Sequence, residues 1–137
     1  MPHSRFQVEI LTPEGAVFND EVEMVSTRTT LGLIGILANH SPLLGTLEPT
    51  ELRLHKSDTE IFRFAQSEGY LQVGGNHAML LVQDAVAVDQ LDTATLQERL
   101  AEAERELEAA AEDSERRRIA RLDRKRLQTF LDIAEGK

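Results

Sequence analysis

Apolar residues follow two different periods along this chain. In the first half they alternate with polar ones. Phe6, Val8 and Ile10 are separated by Gln7 and Glu9, the period of two that marks a half-buried strand. Val22, Met24 and Ser26 repeat it against Glu21, Glu23 and Val25, and Leu52 and Leu54 against Glu51, Arg53 and His55. Ile61, Phe62 and Phe64 surround Arg63. Tyr70, Leu71 and Val73 follow Gly69, and an apolar run at 78–82 precedes a last short strand at 85–88. Pro13-Glu14-Gly15 and Gly74-Gly75-Asn76 fall between runs, where hairpin turns are expected. Many short strands at this spacing predict an antiparallel sandwich or flattened barrel.

The second half switches to steps of three and four. Leu96, Leu100, Ala103, Leu107 and Ala110 form one seam, with Asp92 or Thr95 able to cap its start and Thr95 with Glu98 fitting a capping box. Asp113 and Ser114 offer a break and a fresh cap, and Glu115 suits the positive end of the next helix dipole. Ile119, Leu122, Leu127, Phe130, Leu131 and Ala134 form the second predicted stripe. Two amphipathic helices joined by a few residues imply an antiparallel hairpin. Punctuation agrees: all four prolines precede residue 50, seven of the eight glycines precede residue 76, and neither type occurs from 76 to 135. The expected organisation is α+β, with a β-sandwich at 1–88 and a helical hairpin at 89–137.

Composition narrows the function. In 137 residues, 41% apolar and 28% charged, one ordinary domain or two small ones can bury a core. Acids outnumber bases 24 to 15, a formal charge of −9, which argues against nucleic acid and against anionic membranes. There is no Cys, so disulfides, thiolate nucleophiles and Cys-ligated zinc are excluded. The N-terminal residues show no apolar signal-peptide core, and the longest apolar run is far shorter than a bilayer span. Four scattered histidines (His3, His40, His55, His77) make no metal pair, and no phosphate-binding glycine loop is present. No catalytic residue and no metal site is expected.

Two stretches remain distinctive. Residues 30–42 read either as a turn-rich connection or as a contact loop presenting Leu33 and His40 to a partner. The helices divide by charge: residues 91–113 hold eight acids and two arginines, and residues 114–137 hold four acids and eight bases. The cluster Arg116, Arg117, Arg118, Arg121, Arg124, Lys125 and Arg126 is either a solvated helix face or a docking surface for an acidic protein. A hairpin would set the acidic helix against the basic one. Exposed pairs contribute only a few tenths of a kcal/mol each, so a better acidic partner could displace them.

These residues together resemble the ε-subunit family of bacterial F-type ATP synthases, named δ in mitochondria. The matching stretches are residues 10–18 (ILTPEGAVF), 32–44 (GLIGILANHSPLL), 69–73 (GYLQV) and Leu91-Asp92. The resemblance implies a ten-stranded antiparallel β-sandwich followed by a two-helix domain, in a non-catalytic rotor subunit that couples ion flow to ATP synthesis. It implies a γ subunit as partner on one side of the sandwich and the c-ring at one end, near Gly32, Leu33, His40 and Ser41. It also implies helices that lie folded or extend along γ, with Arg117, Arg118, Arg121, Arg124, Lys125 and Arg126 then meeting an acidic loop of the β subunit to restrain hydrolysis. The location implied is peripheral, on the cytoplasmic face of the cell membrane, without insertion.

Departures from the family pattern matter as well. Leu33 stands where some members carry an acid, Ala38 replaces a usual Pro, and Thr50 a common Gly. Members that bind ATP carry I/L-D-x-x-R-A at the first helix, whereas here Leu91-Asp92-Thr93-Ala94 is followed by Thr95-Leu96. The missing Arg implies weak or absent ATP binding, and no cofactor is expected. The competing reading is a free-standing β-sandwich adaptor whose helical arm serves another acidic partner.

Overall fold

The computed structural model describes residues 4–137, so Met1, Pro2 and His3 lie outside it. Ten strands come first: β1 (Phe6–Thr12), β2 (Gly15–Val22), β3 (Met24–Thr29), β4 (Gly32–Leu37), β5 (Leu43–Leu47), β6 (Thr50–His55), β7 (Ile61–Gln66), β8 (Gly69–Gly74), β9 (His77–Val82) and β10 (Ala85–Ala87). A 3-10 turn at Val88–Gln90 leads to α1 (Thr93–Ala109) and α2 (Glu115–Ala134). The chain separates into two units, Met1–Ala87 and Val88–Lys137.

One continuous sheet runs β10-β7-β6-β3-β5-β8-β9-β1-β2, with β4 on the other side of β3. Strand β3 makes the corner. Its first half, Met24 to Ser26, pairs with β6, and Thr29 pairs with Leu47 of β5. The sheet thereby folds over itself, bringing Phe18 of β2 within 5.4 Å, centroid to centroid, of Phe62 on β7. Between the layers lie Phe6, Val8, Ile10, Leu52, Leu54, Leu71 and Leu80, all buried at alternate positions. The corner also carries a buried polar crosslink: the Thr27 hydroxyl donates to Gln66 Oε1 at 2.6 Å, and Gln66 Nε2 donates to the Glu48 carbonyl at 2.9 Å.

Three details differ from the sequence pattern. The sheet is mixed, because β1 pairs in parallel with β9 while its hairpin partner β2 is antiparallel. No hairpin joins β1 to β9, and their long connection leaves strand direction to the closure of the sandwich. The buried phase of β3 is also shifted: Val25, Thr27 and Thr29 point inward, not Met24 and Ser26. Glu23 falls in a bend between β2 and β3 and resets the alternation. Finally, residues 30–42 include strand β4, so nearly half of the stretch is strand and its turns lie at the two ends.

The expected turns form at Pro13-Glu14 and at Gly75-Asn76, where both residues adopt φ near +58°. A different constraint acts at Gly69. A Cβ there would stand 2.0 Å from the Leu81 carbonyl oxygen, so β8 and β9 meet in this register only around glycine.

In the helical unit, Asp92 caps α1. Its carboxylate accepts from the Ala94 and Thr95 amides at 3.1 and 3.4 Å and from the Thr95 hydroxyl at 2.9 Å. Ser114 caps α2 by accepting from the Arg117 amide at 3.1 Å. The seam Leu96, Leu100, Ala103, Leu107 and Ala110 is buried throughout. On α2 the buried set is Ala120, Leu127, Phe130, Leu131 and Ile133, whereas Ile119 and Leu122 stay largely exposed.

Candidate functional site: an apolar groove and an arginine-bearing helix

The β3–β4 hairpin stands apart from β5 along most of its length and opens a groove of about 720 Å³. Its walls are apolar and face solvent: Leu31 is 98% exposed, Leu44 78%, Leu33 72% and Tyr70 66%. Register explains the alignment. Thr46, Tyr70 and Leu81 stand side by side across β5, β8 and β9, and Leu44, Gln72 and Met79 form the next rung. Scattered exposed leucines need no explanation, but a contiguous strip of them marks a contact surface. Burying each such side chain against a partner would contribute roughly 1.5–3 kcal/mol before the costs of association.

Leu31 is held at the tip of a built turn. The Thr29 hydroxyl accepts from the Leu31 amide at 3.1 Å and donates to the Gly32 carbonyl at 3.2 Å, and Gly32 adopts φ +121°, a conformation that suits glycine. The turn thus presents Leu31 and Leu33 to solvent by construction. The four residues of the expected contact loop are not brought together. Gly32 and Leu33 begin β4, while His40 and Ser41 follow its other end. There the Asn39 amide donates to Asn76 Oδ1 at 2.8 Å, and His40 Nδ1 stands 2.7 Å from the Ser41 carbonyl.

The basic residues of α2 also separate. Arg116 forms an ion pair with Glu106 of α1, holding that carboxyl below its ordinary range. Arg117 Nη1 donates to the carbonyls of Leu107 at 2.9 Å and Ala110 at 3.4 Å. Arg118 pairs with Glu115 one turn back, and Arg126 with Asp123. Arg121, Arg124 and Lys125 lie on the exposed side.

A second groove, about 620 Å³, lies between α1 and α2 and is lined by Arg99, Arg105 and Arg126 against Glu102, Glu106 and Asp123, a balanced set. Leu91 and Asp92 do not line it. Both oxygens of Asp92 are engaged at the helix cap, which lowers its pKa chiefly through the Thr95 hydroxyl. Among the described residues no cluster of three or more His, Asp or Glu could hold a metal ion, and no helix is long and apolar enough to cross a membrane.

A folded-over ten-stranded sheet followed by two helices has a known counterpart. Residues 5–88 match the family described as ATP synthase, Delta/Epsilon chain, beta-sandwich domain. The chain belongs to the ATP synthase delta/epsilon family. It is 32% identical over 132 residues to an ATP synthase epsilon chain of Sulfurihydrogenibium sp. (strain YO3AOP1), covering 96% of this chain and 98% of that relative. It is 38% identical over 107 residues to the epsilon chain of Priestia megaterium, covering 77% and 78% respectively.

The fold also resembles a chain in the Euglena gracilis mitochondrial ATP synthase OSCP/F1/c-ring structure. That match has TM-score 0.76 and 18% identity, and covers 91% of this chain and 78% of that one. A chain from the Tetrahymena thermophila central stalk/c-ring matches with TM-score 0.62 and 15% identity, covering 96% and 98%. Sequence reasoning found the delta/epsilon family through its motifs but missed the groove. Leu44, Tyr70 and Leu81 read as ordinary strand residues, and only their register aligns them on the outer face.

Proposed function

We propose that this chain is a non-catalytic central-stalk subunit of an F-type ATP synthase, which couples ion flow to ATP synthesis through its sandwich and restrains ATP hydrolysis through its helices. The observation that carries this reading is the exposed apolar groove, a surface fit for permanent burial against another subunit. In this reading the groove seats the γ subunit, and the Leu31-Gly32-Leu33 tip faces the c-ring. His40 and Ser41, at the other end of β4, form a separate contact region. The exposed basic side of α2 around Arg118, Arg121, Arg124 and Lys125 meets an acidic loop of the catalytic β subunit when the hairpin opens. The subunit sits peripherally on the cytoplasmic face of the membrane, with no nucleic-acid partner.

ATP is a weak ligand or none in this reading. Support comes from Thr95, which stands where ATP-binding members carry Arg, and from the engagement of Asp92 at the cap. A calorimetric titration showing tight ATP binding to the full chain would contradict it.

The groove assignment is tested by Leu44→Asp combined with Tyr70→Asp. Both side chains already face water, so the free chain keeps its unfolding midpoint while co-purification with γ falls at least tenfold. Undiminished recovery of γ would contradict the assignment and favour the adaptor reading.

A further inference from the structure

Helix α1 ends badly by its own resources. Its C-cap, Ala110, is extended at φ −79° and ψ 143°, no glycine follows to close the last turn, and its last turn carries no basic residue. The final carbonyls of a helix have no acceptor role inside it and carry the negative end of the dipole, so they need donors from elsewhere. Here a donor comes from the other helix. The Arg117 guanidinium reaches back to the Leu107 and Ala110 carbonyls, and beside it Arg116 grips Glu106 with both Nε and Nη2. These contacts exist only while the chain reverses direction between 110 and 114.

We propose that Arg116 and Arg117 are a latch that holds the helical hairpin closed, so that they oppose the extended state instead of serving as its docking contacts. This inference rests on the inhibitory-arm reading for its effect in the complex, and on the geometry of the hairpin alone for its effect on shape. Arg121 and Arg124, exposed one and two turns further along α2, belong to the docking side. The cluster that looked like one basic surface is thus two sets with opposite consequences.

The latch is built to release. Among the described residues, Arg117 Nε is buried without a hydrogen-bond partner, a cost carried by the closed form. Asp113 in the connection holds φ +63°, a left-handed conformation that a continuous helix would relieve. The latch therefore adds charge-assisted contacts at the turn end of a hairpin that also buries an apolar seam, and two local penalties offset part of that gain.

The chain has no cysteine of its own, so probes can be placed at Gln97→Cys and Gln128→Cys, both exposed, to read the distance between the helices in the full-length protein. Arg117→Gln is expected to raise the open fraction about tenfold. Arg117→Lys should restore much of the closure, and Arg121→Gln should leave it unchanged. Glu106→Arg should also open the hairpin, and adding Arg116→Glu should close it again, an exchange that reads the latch even if Arg117→Gln frays α2. Equal distances in the wild type, Arg117→Gln and Glu106→Arg would overturn the latch.

In the assembled ATP synthase the two sets should act with opposite sign. Arg117→Gln lowers ATP hydrolysis and Arg121→Gln raises it. A rise with Arg117→Gln would make Arg117 a docking residue and overturn the proposal. Opening of the hairpin with no change in hydrolysis would uphold the latch and refute the inhibitory arm.

Discussion

At Gly69 the β8 and β9 backbones approach so closely that a methyl group has nowhere to go, since Leu81 oxygen already occupies its place. Gly69→Ala is therefore expected to cost about 2–3 kcal/mol, seen as a lower urea midpoint with an unchanged slope. Asp92 acts on the other unit through its charge. Hydrogen bonds from the Thr95 hydroxyl and from the Thr95 and Ala94 amides lower its pKa below the ordinary value of 3.8. A group whose pKa is lower folded than unfolded stabilises the fold above its unfolded value and loses that contribution as pH falls through its folded value. The start of α1 should hold its amide protection from neutral pH down to about pH 4 and lose it below. Asp92→Asn should remove that acid step, and an identical acid profile in the variant would show that the carboxylate is not the cause. Individual residues were unevenly legible. Asp92 and Thr95 were both credible caps, and only the geometry selects Asp92; Leu44 and Tyr70 carry no mark that separates an outward leucine or tyrosine from a core one.

Elements were more legible than residues, and for a physical reason. The α1 seam recurs without interruption, and every member is buried. The α2 stripe departs from its pattern at its start, where Ile119 and Leu122 outrank Ala120 in hydrophobicity and Ala120 is nonetheless the buried one. The connection is defined by Ser114, whose oxygen accepts from the Arg117 amide and donates to the Ala111 carbonyl at 2.6 Å. Ser114→Ala should cost about 1 kcal/mol, read as loss of helical signal at 222 nm on mild heating with the sheet intact. Strands β4 and β5 were hidden for the opposite reason. Their alternation is diluted by Gly32, Gly35 and Gly45, and residues 30–42 looked like turn chemistry because they begin and end in turns. The shifted phase of β3 and the parallel β1–β9 pair follow from a bend at Glu23 and from sheet closure, neither of which leaves a local signature.

At the scale of the molecule, two units with separate physics share one chain. The sandwich carries its own core, formed between its two layers, and presents the apolar groove; the hairpin carries the divided charge. The proposed labour follows the same division, with coupling assigned to the first and restraint to the second. ATP hydrolysis by the assembled complex, compared between the full chain and a truncation ending at Val88, separates the two most directly. Intact assembly with severalfold higher hydrolysis in the truncated form is the predicted result. Unchanged hydrolysis with intact assembly would contradict the inhibitory role and leave the helices without a part in restraint.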